Sequence, residues 1–345
     1  MSPKLNRVCL TPRVSGVGGM VSFQAKLTAG LAARGIQVTN DLADQPYDSV
    51  LVIGGTRQLV DLRRARRRGL PIVQRLDGIN WLHRRTRTGA RHWLRAEIGN
   101  WLLSYIRERL ATRVVYQSRF VQDWWQKRYG PGPRRQYIIY NGVDLKTYNP
   151  NGEGFPPEDR IRILMVEGSL QGGYELGLQS AVALAEGLQL ELGKTVELVI
   201  AGQIEEKLKT KWSQQSKALI EWVGVVRREN IPALDRSAHL LYSGDINAAC
   251  PNSVIEALAC GLPVLAFDSG ALKELVTAQA GRVVPYGGDP WKLEPPEIES
   301  LVRGAKEILQ DQNAIRKGAR TRAEAVFGLD PMVEAYIQAM EIKGG

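Results

Sequence analysis

The chain of 345 residues lacks several features that would fix its class at once. No long stretch is both apolar and uncharged, so the sequence predicts no helix that spans a membrane. The N-terminal segment lacks the apolar core of a secretory signal peptide, which favours a cytoplasmic location. Only three cysteines are present, without metal-ligand spacing, and we expect buried thiols rather than disulfides or a metal site.

Acidic residues are scarce in the first part of the chain. Residues 1–150 contain 26 lysines and arginines against 9 acidic residues, whereas the remainder contains 20 basic and 27 acidic residues. The arginines concentrate in residues 57–68 and 81–113. This distribution favours an anionic partner, which is a phospholipid headgroup, a lipid-linked phosphate or nucleic acid. Nucleic acid is the least favoured of the three because the chain has no nucleic-acid-binding motif.

Short apolar runs alternate with amphipathic segments over the whole chain. This pattern predicts parallel sheets covered by helices on both faces, and the length predicts two α/β domains. We place the first domain at residues 1–148 and the second at residues 149–329. The longest helix expected in the first domain covers residues 93–111, and its apolar residues recur on one face. These residues are Leu94, Ile98, Trp101, Leu102, Tyr105, Ile106 and Leu110.

The stretch Cys250–Asp268 is the most informative part of the chain. It predicts a helix from Val254 to Cys260 that ends at Gly261 and is followed by a buried strand. Glu256 is expected in the first turn, where the helix dipole favours a carboxylate that can accept hydrogen bonds from a ligand's hydroxyl groups. A surface glutamate that only stabilises the start of the helix is the alternative interpretation.

This stretch resembles the nucleotide-binding signature of family 4 retaining glycosyltransferases of GT-B architecture. Further similarities lie at Gly18-Gly19, Tyr140–Asp144 and Glu221–Gly224, so the resemblance covers nearly the whole chain. It implies an α/β fold of two doubly wound Rossmann-like domains facing across a cleft, with a last helix, residues 330–345, crossing back to the first domain. It also implies metal-independent transfer of a sugar from a nucleotide-sugar donor to a glycan or lipid-linked acceptor, without a further cofactor.

The resemblance assigns donor binding to loops at the carboxyl ends of strands, where ligands of parallel sheets usually bind. Glu256 is expected to contact the ribose of the donor. Asn252 and Ser253 are expected beside it, with helix capping as their alternative role. The other expected donor-binding residues are Gly18, Gly19, Gly168, Ser169, Gly172, Gly173 and Gly224.

The chain departs from the family's pattern in two places. The family usually has an arginine and a lysine after the first strand of the second domain, but no basic residue occurs between Ile163 and Gly193. An acid that often contacts the transferred sugar is replaced by Ala248, with Asp245 and Asn247 just upstream. The candidates for diphosphate contacts are therefore basic residues from other segments, namely Arg13, Arg227 and Arg228.

Two residues near the end of a first-domain strand are candidate catalytic residues. The family often has a histidine near the strand that ends Gln74–Gly78. Asp77 occupies that place and His83 follows it, so either is expected to contact the sugar or its acceptor. A surface or interfacial position is the alternative for His83.

Tryptophans and arginines are interleaved between residues 81 and 125. This combination predicts peripheral association with an anionic membrane surface on the inner face of the cell membrane. Buried tryptophans and solvated arginines are the alternative. The tryptophans concerned are Trp81, Trp93, Trp101, Trp124 and Trp125.

A second functional hypothesis is a non-catalytic GT-B protein that binds a glycan, lipid or protein partner after losing its donor diphosphate site.

Overall fold

The structure is a computed structural model that describes residues 5–16, 18–86, 89–170 and 175–341. These residues form two compact units. The first unit contains the chain up to Gly142 and again from Leu329, and the second unit contains the chain between them. The first boundary falls before the predicted residue 148, because Val143 already donates its N–H to the carbonyl of Phe327 at 2.8 Å in the second unit.

Six parallel strands form the sheet of the first unit. They are β1 (Arg7–Thr11), β2 (Gln37–Thr39), β3 (Ser49–Ile53), β4 (Ile72–Leu76), β5 (Arg113–Tyr116) and β6 (Arg135–Ile138). Their order across the sheet is β2-β1-β3-β4-β5-β6. Every residue of β3, β4 and β5 is buried, because helices cover both faces of the sheet.

The second unit has a parallel sheet of the same kind. Its strands are β7 (Ile161–Ser169), β8 (Val196–Gln203), β9 (Leu219–Gly224), β10 (Leu240–Ser243), β11 (Val264–Phe267) and β12 (Gly281–Val284). Their order is β12-β11-β10-β7-β8-β9, so β7 and β10 are neighbours although they are distant in sequence. Both sheets are doubly wound, and the predicted strand–helix alternation is confirmed.

Helices connect the strands in both units. Those of the first unit are α1 (Gly19–Ala32), α2 (Leu59–Arg67), α3 (Ala90–Tyr105) and α4 (Arg119–Tyr129). Those of the second are α5 (Glu175–Leu192), α6 (Glu206–Gln215), α7 (Ile231–Arg236), α8 (Asn252–Ala259), α9 (Leu272–Leu275), α10 (Ile298–Gln310) and α11 (Gln312–Val326). A last helix, α12 (Leu329–Met340), returns to the first unit. Within the described residues, no helix has both the length and the apolar character needed to cross a membrane.

Helix α12 packs against α1, as the predicted return of the chain requires. Its Val333 fills the space over Gly30 of α1, where any side chain would collide with it. Arg113, at the start of β5, donates a hydrogen bond of 2.7 Å to the carbonyl of Ala339 near the end of the helix. Arg34 pairs with Asp330 at 3.0 Å at the other end. The helix is therefore fixed to the first unit along its whole length.

Helix α3 buries polar residues and exposes apolar ones, the reverse of a usual amphipathic helix. Its buried residues are the polar Asn100 and Ser104. The apolar side chains at the predicted face are exposed over the first part of the helix, with exposed fractions of 56% for Leu94, 53% for Ile98 and 59% for Trp101. The apolar face predicted from spacing thus lies in solvent here, whereas an amphipathic helix normally buries it.

Hydrogen bonds explain why the polar side of α3 packs inward. Asn100 accepts the N–H of Asn80 at 3.0 Å and donates to its carbonyl at 2.8 Å, so a loop amide is paired completely by one side chain. Further along, Leu102 and Leu103 close over Gly55, at which an added Cβ would lie 3.1 Å from Leu103. The chain then continues into a π-helical turn, Ile106–Leu110, whose two terminal residues are buried.

Candidate functional site

Helix α8 carries Glu256, the most informative acid of the sequence. The helix begins at Asn252 rather than at the predicted Val254. Glu256 therefore lies in the second turn, and its predicted place in the first turn is wrong. Because the field of a helix N-terminus decays within the first turn, the dipole contributes little to this carboxylate. Its half-buried environment is set instead by neighbouring side chains.

Asn252 and Ser253 occupy the first two positions of α8 and are half-buried. The residue before the helix is Pro251, and no side chain caps the helix. The alternative role of these two residues as caps is therefore not observed. The N–H groups of a first turn have no acceptor within their own helix, so this end of α8 offers donors to a ligand.

Three side chains that can titrate lie close to Glu256: Tyr148, Asp235 and Cys260. Burial raises the pKa of Asp235 well above its ordinary value, and the charge of Glu256 raises it further. Asp235 is 1% exposed, and its Oδ2 has no hydrogen-bond partner among the described residues. Burial therefore favours the protonated form of Asp235, although the hydrogen bond from Cys260 opposes this.

The two arginines expected to contact a diphosphate in this unit differ in their surroundings. Arg228 lies close enough to Tyr148 to offset part of the rise in the pKa of that phenol caused by burial and Glu256. Arg227 is exposed and pairs with Glu229. Gly224, which ends β9, has a φ of 68° and open space around its Cα. The structure thus brings Arg228, and not Arg227, toward the surroundings of Glu256.

The predicted loop after the first strand of this unit begins later than expected. Glu167, Gly168 and Ser169 belong to β7, which extends to Ser169. A Cβ added at Gly168 would meet nothing within 4 Å, and the residue is exposed, so a ligand can approach this backbone closely. Gly172 and Gly173 lie outside the described residues.

Two acids meet at the carboxyl edge of this sheet. Glu167 lies near the end of β7 and Asp245 follows the neighbouring β10. The carboxylate of Glu167 accepts the N–H of Gly244, and burial together with the charge of Asp245 raises its pKa. Burial raises the pKa of Asp245 to about 6. Because like charges disfavour each other, the pair retains a proton at a pH where isolated carboxyls have lost theirs.

In the first unit, the glycine loop leads into α1 as predicted. The helix begins at Gly19, and Gly18 precedes it with a φ of 141°, a conformation that favours glycine. Neither a side-chain cap nor an acid occupies the first turn, so its N–H groups are available to an anion. Both glycines and Arg13 are exposed.

Gln24 holds this loop in place and was not predicted to do so. Its Oε1 accepts the N–H of Val14 at 3.0 Å, and its Nε2 donates to the carbonyl of Pro12 at 3.1 Å. The glutamine lies in the second turn of α1 and reaches back across the loop. A buried amide among apolar residues at the start of this helix was the available signal.

Asp77 directly follows β4 at the carboxyl edge of the first sheet and is half-buried. Burial raises its pKa, and the charge of Arg75 opposes that rise. Its backbone carbonyl accepts the Nε1–H of Trp125 at 2.8 Å. Trp125 is fully buried, so it does not belong to the exposed tryptophans of the predicted membrane surface.

His83 is enclosed. Its Nε2 lies 2.8 Å from Oε1 of Glu97 on α3, and its side chain is only 1% exposed. Glu97 also accepts two hydrogen bonds from Arg84, at 2.6 and 2.8 Å, and these contacts lower its pKa to about 2. The ring therefore links the turn Leu82–Arg84 to α3. The alternative surface position of His83 is therefore wrong, and its catalytic role stays a prediction.

Comparison with known proteins identifies the family. The profile described as glycosyl transferases group 1 matches residues 154–325, and the profile described as glycosyltransferase family 4 matches residues 40–147. The chain belongs to the group 1 glycosyltransferases.

Individual members are only distantly similar to this glycosyltransferase. A D-inositol 3-phosphate glycosyltransferase of Catenulispora acidiphila is 25% identical over 251 residues, which are 67% of this chain and 58% of the relative. The match therefore spans less than two thirds of that relative's length.

Solved structures resemble the chain over nearly its full length. The sucrose-phosphate synthase of Thermosynechococcus elongatus gives a TM-score of 0.73 at 14% identity, covering 96% of this chain and 98% of the other. Anabaena HepE in complex with UDP-glucose gives 0.66 at 16% identity, covering 97% and 100%. Likeness at this level of identity establishes the fold, and the predicted GT-B architecture is confirmed.

The loop Gly244–Ala248 is where this glycosyltransferase departs most from the pattern expected of its family. Ala248, at the position of the expected acid, is 2% exposed and cannot replace it. Asn247 is buried in a left-handed conformation with a φ of 57°, and its Nδ2 has no partner among the described residues. Asp245 is half-buried. Within this loop, the polar side chains upstream of Ala248 are those of Asp245 and Asn247.

Tight backbone contacts fix the shape of the loop Gly244–Ala248. The carbonyl of Ala248 accepts the N–H of Ala271 at 2.8 Å, and a Cβ on Gly270 would collide with the backbone of Ala248. On the other side, a Cβ on Gly177 of α5 would lie 2.5 Å from the carbonyl oxygen of Gly244. The loop is therefore clamped between α5 and the segment after β11.

Proposed function

We propose that this glycosyltransferase moves a sugar from a nucleotide-sugar donor to a glycan or lipid-linked acceptor, with retention of the anomeric configuration. The observation that carries the proposal is the half-buried carboxylate of Glu256 beside the open first turn of α8. A carboxylate accepts paired hydrogen bonds from the neighbouring hydroxyl groups of a ribose. HepE was solved with UDP-glucose, which makes uridine nucleotides the first ligands to test.

The donor is proposed to bind at the carboxyl edge of the second sheet. The carboxylate of Glu256 accepts hydrogen bonds from the ribose hydroxyl groups. The backbone N–H groups of Asn252 and Ser253, in the first turn of α8, donate to the bound nucleotide sugar. Gly168 and Gly224 leave their backbones open to close approach. The remaining donor-binding residues proposed from the family resemblance are Gly18, Gly19, Ser169, Gly172 and Gly173, with Arg228 and Arg13 as diphosphate contacts.

The retaining reaction uses no protein nucleophile in this proposal. The acceptor hydroxyl attacks the anomeric carbon on the face from which the diphosphate departs. As the bond to the diphosphate oxygen breaks, that oxygen takes the hydroxyl proton. The protein contributes orientation and stabilises the charge that develops on the diphosphate. The scheme includes neither a metal ion nor a cofactor besides the donor.

The Glu167–Asp245 pair bears on the binding of the diphosphate. Two fully ionised carboxylates at this edge would repel a phosphoryl group. Their raised pKa values keep a proton on the pair into the weakly acidic range, which lowers that repulsion. Neutral carboxyls and the amide of Asn247 can instead bind the hydroxyl groups of the transferred sugar. We propose that these residues replace the acid missing at Ala248.

On the acceptor side, Asp77 is the proposed residue for contacting the sugar or the acceptor. It lies at the carboxyl edge of its sheet and is half-buried, as a group that binds ligand hydroxyls should be. Its raised pKa favours the protonated carboxyl, which can both donate and accept hydrogen bonds.

We further propose that the exposed side chains of α3 bind an anionic lipid surface. This α3 face consists of Trp93, Leu94, Ile98 and Trp101, all exposed. Trp101 stacks on Tyr105 with ring centroids 5.4 Å apart, and Arg63 of α2 lies over Tyr105 at 5.6 Å. Aromatic rings at an apolar boundary, next to guanidinium groups, suit the headgroup layer of a membrane. The protein would then work at the inner face of the cell membrane on a lipid-linked acceptor.

A non-catalytic GT-B protein remains the second candidate. It is favoured by the buried Ala248 and by the absence of basic residues between Ile163 and Gly193. Such a protein would bind a glycan, a lipid or a protein partner through the same fold without binding a donor.

Thermal unfolding with a panel of UDP-, GDP- and ADP-sugars tests the proposal, because a ligand that binds the native state raises the unfolding temperature. We expect one nucleotide series to stabilise the protein and its sugar to be transferred to a lipid-phosphate or glycan acceptor, as followed by mass spectrometry. If no nucleotide or nucleotide sugar stabilises the chain, the donor site is lost and the second candidate holds.

A further inference from the structure

Arg75 is a buried cation without an acidic partner. It is the last but one residue of β4 and is 1% exposed. Its Nη2 donates to Oδ1 of Asn141 at 2.9 Å, whereas Nε and Nη1 have no hydrogen-bond partner among the described residues. Its Cζ lies 3.9 Å from the centre of the Phe23 ring. A buried charge that is paired only with an amide and an aromatic face is strongly unfavourable for folding.

The other fully buried arginine of this unit shows what a structural arginine looks like here. Arg107 donates to the hydroxyl of Tyr116 at 2.9 Å and to the carbonyl of Gly130 at 2.6 Å. It also lies 4.0 Å from an oxygen of Glu108, so an acid offsets its charge. Arg107 thus joins three parts of the unit. Arg75 makes a single amide contact, which does not account for burying its charge.

The position of Arg75 relates it to the ligand side of the sheet. Phe23, which covers its guanidinium, lies in the second turn of α1, and the first turn of that helix has neither an acid nor a side-chain cap. Asp77 follows two residues later, but burial disfavours its ionised form. Arg75 and the N-terminus of α1 therefore both contribute positive potential at the carboxyl edge near Phe23.

We propose that Arg75 supplies the positive charge for a phosphoryl group bound at the carboxyl edge of the first sheet, next to Phe23 and the glycine loop. The ligand is a phosphate monoester or a diphosphate, carried by the nucleotide-sugar donor or by a phosphorylated acceptor. The charge acts through the low-dielectric interior, where it is screened less than in water. The proposal deepens the proposed function and depends on it only for the identity of the donor.

Three variants and four probes test this role. Arg75→Met removes the charge, Arg75→Lys replaces the guanidinium by an ammonium that burial partly neutralises, and Arg107→Met removes the matched structural arginine. Inorganic pyrophosphate, UDP, D-inositol 3-phosphate and uridine are titrated by calorimetry, and the unfolding temperature of each variant is measured. The combination separates binding from folding, because a purely structural arginine changes only the latter.

We expect Arg75→Met to lower the affinity for at least one phosphoryl probe by about tenfold or more and to leave the affinity for uridine unchanged. Its unfolding temperature should equal or exceed that of the wild type. Arg75→Lys should weaken the same probes less than Arg75→Met does, because a buried lysine keeps a positive charge less readily than an arginine. If only the affinities for pyrophosphate and UDP fall, the donor carries the phosphoryl group. If only the affinity for D-inositol 3-phosphate falls, the acceptor carries it. Arg107→Met should lower the unfolding temperature without changing any affinity.

The proposal is overturned if Arg75→Met preserves the affinity for every phosphoryl probe, whatever its unfolding temperature, or if the wild-type protein binds none of these probes. Should Arg75→Met fail to fold, Arg75→Gln, which keeps a donor for Asn141, is measured against the same outcomes. If the protein does not bind UDP but binds pyrophosphate or D-inositol 3-phosphate in an Arg75-dependent way, the result contradicts a uridine donor and supports the role of Arg75.

Discussion

Glu167 and Asp245 bring two carboxyl groups together where the neighbouring strands β7 and β10 end. They do so at an edge where the resemblance to family 4 glycosyltransferases leads one to expect basic residues. Glu167 is also tied to the next segment, since it accepts the N–H of Gly244. The acids are therefore part of a fixed arrangement, and their titration should be visible in both stability and binding.

The stability of the second unit should depend on pH through Asp245. Burial raises the pKa of Asp245 from 3.8 to about 6, so the folded state favours the protonated carboxyl. This contribution is complete below pH 3.8 and is lost as pH rises through about 6. We expect Asp245→Asn to flatten the fall in the free energy of unfolding over this range, as measured by chemical unfolding at several pH values. The exposed control Glu299→Gln should keep the wild-type slope, and an unchanged slope in Asp245→Asn would contradict the raised pKa of Asp245.

Gly168→Ala should lower nucleotide affinity without changing the stability of the fold. A methyl group at this exposed glycine meets no atom within 4 Å, so we expect the free energy of unfolding to change by less than about 0.5 kcal/mol. If a nucleotide lies against this backbone, its affinity should fall by about tenfold, as measured by calorimetry with UDP and GDP.

Gly177→Ala provides the comparison, because its Cβ would lie 2.5 Å from the carbonyl oxygen of Gly244 and should destabilise the protein by about 1–3 kcal/mol. Unaltered nucleotide affinity in Gly168→Ala would place the ligand away from β7.

The α3 face should contribute to membrane binding and little to folding. Combined replacement of Leu94, Ile98 and Trp101 by serine removes mainly exposed apolar surface and the stacking of Trp101 on Tyr105, so we expect a loss of stability of about 1 kcal/mol. Co-sedimentation with vesicles that contain anionic phospholipid should fall strongly. Asn100→Ala, on the buried side of the same helix, should instead destabilise the protein by about 1–3 kcal/mol, because it leaves the amide of Asn80 without its partners. Equal sedimentation of the serine variant and the wild type with these vesicles would show that the α3 face does not bind the membrane.

Much of the fold can be predicted from local sequence. Strand Ser49–Ile53 is a buried apolar run, and helix Arg119–Tyr129 is capped by Ser118, whose Oγ accepts the N–H of Val121 at 3.2 Å. Helices α2 and α11 are not predicted by apolar periodicity. Helix α2 buries only Leu62 and Ala65 among its arginines, so its sequence is typical of a charged segment.

The candidate site is less predictable, because its parts come from elements that are distant in sequence. Glu256 can be found from its helix, but Asp235 and Tyr148 lie on other segments and only the fold places them near it. The orientation of α3 is unpredictable for a related reason, since the pairing of Asn100 with Asn80 outweighs the usual burial of the apolar face. Arg75 is hidden within a strand, and only its burial reveals an uncompensated charge.

Calorimetric titration of UDP, GDP and ADP into the wild type and Glu256→Gln tests the central claim most directly. The account predicts that the wild type binds one of these nucleotides and that Glu256→Gln weakens binding by about tenfold to a hundredfold, since paired hydrogen bonds to a charged acceptor are lost. The exposed control Glu299→Gln should bind as the wild type does. Equal affinity in Glu256→Gln and the wild type, or no binding of any of the three nucleotides, would contradict the assignment of Glu256 to the donor.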